Sequence, residues 1–141
     1  MVQSVLISIT GTQQLEGEES ESIQLVTEGS YCYEPGYIRF SYVETQMTGL
    51  EGVVTTFTIE EEKKVTLQRV GKVNSEMVFE LGRIDDSLYE AGPGALMLRV
   101  QTKSLAVLMN EHGGIFDLSY SIEVEYATCG LNSYHIEVRA I

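Results

Sequence analysis

The sequence predicts an all-β protein, an antiparallel up-and-down β-barrel of eight to ten strands. Three observations predict it. Apolar residues recur at every second position along nearly the whole chain, the period of a half-buried strand. Clusters of Gly, Pro, Asn and acidic residues punctuate these runs at short intervals. Apolar spacing of the helical kind never extends beyond about two turns.

Taken in order, Val5, Ile7 and Ile9 open the alternation, followed by Ile23 with Leu25 and then Ile38, Phe40 and Tyr42. Val53, Thr55, Phe57 and Ile59 continue it, then Val65 with Leu67, and Met77, Phe79 and Leu81. Leu96, Leu98 and Val100 form one run, and Leu105, Val107 and Met109 another. The clearest is Phe116, Leu118, Tyr120, Ile122, Val124 and Tyr126, with Asp, Ser and Glu between them. Tyr134, Ile136 and Val138 close the set. Residues 17–21, 34–36, 49–52, 60–64, 71–74, 92–94, 111–114 and 130–133 read as loops or hairpin turns, and residues 16–21 as an acidic turn. Short connections join antiparallel neighbours, and sheets of this size curl or close. A β-sandwich is the alternative, but it normally needs a long Greek-key crossover that the spacing does not offer.

At 141 residues the chain fits a single domain spanning 1–141. A domain of about 150 residues buries roughly two-thirds of its unfolded surface and needs no staple. Cys32 and Cys129 are therefore expected as free thiols in a reducing compartment. The opening residues show no secretory leader and no stretch long enough to cross a bilayer, so the expected address is the cytoplasm. A net charge of −12 repels phosphate backbones, and the nine basic residues are spread out rather than interleaved with aromatics. Neither nucleic acid nor membrane is expected as a partner.

Metal and catalytic motifs are not in evidence. The soft ligands Cys32, Cys129, His112 and His135 lack short metal-ligand spacing. There is no nucleophile elbow, and no cysteine has a sequence-adjacent base. No catalytic residue, metal or cofactor is assigned. His112 falls in a turn, and His135 points away from the buried face.

The informative polar residues are those in phase with the buried face. Glu44 continues the Ile38–Phe40–Tyr42 series, Arg69 continues Val65 and Leu67, and Arg83 continues Met77, Phe79 and Leu81. All three stand near strand ends, where they can line one mouth of a barrel. Arg69 and Arg83 would grip a carboxylate or phosphate, Glu44 would orient one arginine, and Tyr42 and Tyr120 would line the wall. Alternatively Glu44 pairs with one arginine and satisfies it, since buried charges are normally paired. The 48–52 turn is either an amide nest for an anion or a hairpin that its two glycines permit. Leu6, Val26, Val43, Val54 and Leu108 fall out of phase with the core and offer a homodimer face or ordinary apolar surface.

The segment Glu44-Thr45-Gln46-Met47-Thr48-Gly49-Leu50-Glu51-Gly52 resembles an element of the bacterial YwiB-like family of uncharacterised proteins. The resemblance extends to Val65-Thr66-Leu67-Gln68-Arg69-Val70-Gly71, to Asn74-Ser75-Glu76-Met77-Val78-Phe79-Glu80 and to the closing His135-Ile136-Glu137-Val138. It departs at Tyr89-Glu90-Ala91-Gly92-Pro93-Gly94, which lacks the family's loop aromatic. What the resemblance implies is a calycin-like barrel, related in architecture to lipocalins, with no established activity or substrate.

Three functional expectations follow. The first is a non-enzymatic binder of a small anionic or amphipathic ligand in the barrel interior. The second is a packed barrel serving as a protein-interaction module, with a filled interior and an apolar patch outside. The third is an enzyme, which needs a perturbed carboxylate in the mouth.

Overall fold

A computed structural model describes residues 2–14 and 17–141. Met1, Leu15, Glu16 and the side chains of Thr128 and Cys129 lie outside the described residues, and with them the expectations for Glu16 and the Cys129 thiol. Ten strands form the barrel: β1 (Val2–Gln14), β2 (Glu21–Glu34), β3 (Tyr37–Val43), β4 (Val54–Glu60), β5 (Lys64–Val70), β6 (Val73–Glu80), β7 (Ile84–Ala91), β8 (Gly94–Asn110), β9 (Gly113–Val124) and β10 (Ala127–Ala140). Each strand pairs antiparallel with its sequence neighbours, and β1 closes on β10, so the sheet is a closed up-and-down barrel of the calycin-like kind. The only helical element among the described residues is a 3₁₀ turn at Gln46–Thr48. None of the described helices is long and apolar enough to cross a membrane.

Strand register stacks the interior in layers, because side chains on one face of adjacent strands meet in cross-strand rows. Ile38, Ile59, Val65 and Phe79 form one row across β3 to β6. The next row is Phe40, Phe57, Leu67 and Met77. Above it the apolar pattern stops, and Tyr42, Thr55, Arg69 and Ser75 form a polar row. The apolar rows are packed solid: Phe40 stacks on Phe57 with ring centroids 5.0 Å apart, and Phe116 meets Phe57 edge-on at 5.8 Å. At the end remote from the polar row, the Tyr31 hydroxyl donates to the Asn110 carbonyl at 2.7 Å and plugs the barrel.

Several local expectations are corrected. Residues 130–133 are strand, not loop; the turn falls at Glu125 and Tyr126, both with positive φ although neither is glycine. Tyr126 is accordingly exposed instead of inward. The runs at 96–100 and 105–109 are one strand, β8, and a register shift at Thr102/Ser104 moves the inward phase from even to odd positions. β7 escaped detection because its inward positions are Asp85, Ser87 and Tyr89, while Ile84 and Leu88 face out. Leu81 lies beyond the end of β6 and is exposed, and Leu6 is half-buried rather than exposed.

Two features of the wall are local. β6 pairs with β7 only through Val73, Asn74 and Ser75, opposite Ala91, Glu90 and Tyr89. Farther along β6, side chains take over, with Val78 N–H donating to Asp85 Oδ2 at 3.3 Å and Glu80 N–H to Thr102 Oγ1 at 3.0 Å. In the β8–β9 hairpin, Gly113 and Gly114 have φ of 112° and 148°, and a Cβ on either would overlap the Val138 or Leu108 carbonyl.

Candidate functional site

The polar row lies near the end of the barrel that carries the β1–β2, β3–β4, β5–β6 and β9–β10 connections. A cavity of about 250 Å³ opens there. Its floor is aromatic: Tyr134 rests edge-on against Phe57 at 5.7 Å, and Tyr120 packs on Phe79 at 4.6 Å. Ile9, Ile23, Leu25 and Leu50 form its apolar wall, and Arg69, Tyr42, Glu44, Asn132 and the hydroxyls of Tyr120 and Tyr134 its polar one.

Glu44 follows directly on β3. Its backbone N–H donates to the Val53 carbonyl at 2.8 Å, which extends the hairpin and keeps the side chain inward. The loop that follows is built around it. Thr45 caps the 3₁₀ turn, and Gly49, at φ 78°, reverses the chain. Thr48 Oγ1 then donates to Glu44 Oε1 at 3.1 Å, while Thr55 Oγ1 donates to Oε2 at 2.6 Å. The Tyr42 phenol lies beside this carboxylate, and the negative charge adds to burial in holding its proton. Glu44 is only 4% exposed, yet neutral threonine hydroxyls solvate both of its oxygens.

Arg69 is held differently. Its Nη2 donates to the Tyr134 hydroxyl oxygen at 3.1 Å, and its buried Nε has no partner. Among the described residues no carboxylate lies within ion-pair distance of it. Burial works to lower the guanidinium's pKa, but Tyr134, with Tyr120 and Tyr42 beyond it, outweighs that effect, and the group remains charged. Burial, then Glu44, pushes the Tyr42 phenol up; burial, then Tyr134, does the same to Tyr120. Both phenols stay protonated near neutral pH and serve as hydrogen-bonding groups.

The structure thus brings Tyr42, Glu44, Arg69 and Tyr120 to one cavity. It does not bring Arg83 there. β6 ends at Glu80, and residues 81–83 form the β6–β7 turn at the opposite end of the barrel, so the period-two phase no longer applied to them. Arg83 is exposed and pairs with Asp85 at 3.4 Å. The expected orienting contact between Glu44 and an arginine is also absent among the described residues, because the hydroxyls have filled the carboxylate. The 48–52 segment contributes Thr48 and Leu50 to the cavity wall, and its backbone makes hairpin bonds, such as Val53 N–H to the Leu50 carbonyl at 2.9 Å.

Two site residues were missed. Tyr134 was read only as a core position, and its hydroxyl reaches Arg69 across the barrel. Asn132, two positions before it, falls in the 130–133 stretch that the sequence reads as a loop; on β10 it is in phase with Tyr134 and Ile136, the same relation that singles out Arg69.

Comparison with known proteins agrees with this architecture. The chain is similar to the ywiB protein from Bacillus subtilis, whose crystal structure superposes with a TM-score of 0.81 at 21% sequence identity, covering 99% of this chain and 93% of that one. None of the curated proteins compared matches it. A family model described as a domain of unknown function (DUF1934) matches residues 7–136, and with that span the chain belongs to this YwiB-like family.

Proposed function

We propose that this protein is a non-enzymatic binder of a small anionic ligand, held in the mouth of the barrel by Arg69. One observation carries the reading: a largely buried guanidinium whose only acceptor among the described residues is a neutral phenol oxygen. A guanidinium has five N–H donors in a fixed fork, a geometry that matches a carboxylate or phosphate. Glu44, a candidate counter-ion in the same cavity, is taken up by hydroxyls. The apolar wall suits an amphipathic ligand, and 250 Å³ lies below the ~300–1,000 Å³ of pockets for drug-sized molecules. A cytoplasmic address suits the unpaired thiol of Cys32.

A second reading, an interaction module or homodimer, draws on one observation. Val43, Val54 and Val70 form an exposed cross-strand row on the outer wall, 42–54% accessible.

Native mass spectrometry of protein purified from its own cells, beside a denatured aliquot, reads both possibilities. The binder reading expects an added small mass that denaturation releases and that Arg69→Gln loses while remaining folded. A bare protein, still unliganded after equilibration with millimolar small acids, counts against it. A dimeric mass that Val54→Glu abolishes supports the second reading.

A further inference from the structure

We propose that the ligand is a small monocarboxylic acid carrying a hydrogen-bond donor near its carboxylate, of the hydroxy-acid or amino-acid kind, with a compact apolar side group. This rests on the mouth being an anion site and adds what the ligand must offer besides charge.

The hydrogen-bond ledger of the cavity has openings of both signs. On the donor side, Arg69 Nε is buried without a partner, and Nη1 has no acceptor among the described residues. The Tyr134 hydroxyl accepts from Arg69 Nη2 and donates to no acceptor among the described residues. The Tyr134 proton is therefore free to point at a ligand beside the guanidinium. These donors match a carboxylate. On the acceptor side stands Asn132. Its Nδ2 donates to the Tyr120 hydroxyl at 3.5 Å. That arrangement leaves Asn132 Oδ1 buried and unpartnered. A simple anion fills the donors and leaves this acceptor dry. An acid with a hydroxyl or ammonium group fills both.

Charge limits the ligand further. Glu44 and Glu21 both line the cavity, so a second negative charge on the ligand meets two carboxylates with Arg69 as the one lining cation among the described residues to offset them. A monoanion or a zwitterion is favoured over a phosphate dianion. The apolar wall and the 250 Å³ volume set the size of the side group at roughly that of a branched aliphatic chain.

The test is isothermal titration of the full chain with four probes: 2-hydroxy-4-methylpentanoate, L-leucine, 4-methylpentanoate and inorganic phosphate. The expected result is that one of the first two binds at least about ten-fold more tightly than 4-methylpentanoate. Which of the two it is separates the hydroxy-acid from the amino-acid source. Asn132→Leu should erase that preference without weakening 4-methylpentanoate. Equal affinity for acids with and without the donor, or tighter binding of phosphate, overturns this inference while leaving the anion site standing. Failure of the wild-type protein to bind any of the four removes both. The wild-type comparison depends on no variant remaining folded.

Discussion

Arg69 and Glu44 carry opposite charges in one cavity, and their removal should shift stability in opposite directions. Arg69→Met keeps the length of the side chain and removes the charge. It loses one hydrogen bond from a charged donor, worth about 1.5–3 kcal/mol. It also relieves the burial of a guanidinium that lacks a counter-ion, a penalty of several kcal/mol per ion. The balance is a protein equally stable or more stable by up to about 2 kcal/mol, and one that no longer holds an acid. Glu44→Leu does the reverse. It strands the Thr55 hydroxyl, fully buried, at about 1–3 kcal/mol. A loss of about 1–3 kcal/mol follows, enough to lower Tm by roughly 3–10 °C. Urea titration at pH 7 measures both variants. The chain has eight tyrosines and no tryptophan, so tyrosine emission and circular dichroism together report unfolding. If Arg69→Met costs as much stability as Glu44→Leu, Arg69 is a structural prop and the argument for a ligand collapses.

Alkaline pH should unfold the barrel through its buried phenols. Burial, with Tyr33 and Cys32 adding to it, pushes Tyr31 from 10.0 up to about 12, and Tyr42 and Tyr120 are raised as well. The unfolded chain gives up these protons first, so stability is complete below pH 10 and falls as the pH climbs toward 12, with phenolate absorbance appearing together with the loss of circular dichroism. Phe57→Ala should cost about 3–5 kcal/mol in the same urea titration, since this fully buried ring touches Phe40, Phe116 and Tyr134; a cost below about 1.5 kcal/mol would mean that the layer collapses onto the gap.

The barrel was legible because its signal is repetitive. Inward residues such as Ile7, Phe40, Phe57, Leu67, Phe79 and Phe116 sit on a strict period of two, and each is fully buried. Legibility ended where the period broke. The shift at Thr102/Ser104 divided one strand into two apparent ones, and the positive-φ turn at Glu125–Tyr126 offered no glycine to mark it. For the site, phase alone placed Tyr42, Glu44, Arg69 and Tyr120 on the inner face. It failed for Arg83 because a phase carries no information beyond the last paired residue. The relation of Arg69 to Tyr134 was hidden for another reason: the two are 65 residues apart and meet across the interior, a distance fixed by barrel closure and not by local pattern.

The narrow join between β6 and β7 has a dynamic consequence. Its ladder has three residue pairs, whereas β5–β6 has six and β7–β8 has eight. Opening a stretch of wall costs least where the fewest backbone bonds break, so amide hydrogen exchange should begin there, at Val73, Asn74 and Ser75 and their partners. On the far side, β1 and β10 are joined over ten pairs that link residues as distant as Val5 and Ala140. The barrel would therefore breathe like a hinged cover, with its spine at β1–β10 and its clasp at β6–β7. The clasp lies in the same row as Arg69, which pairs with Ser75, so each opening would expose the charged end of the cavity to solvent from the side.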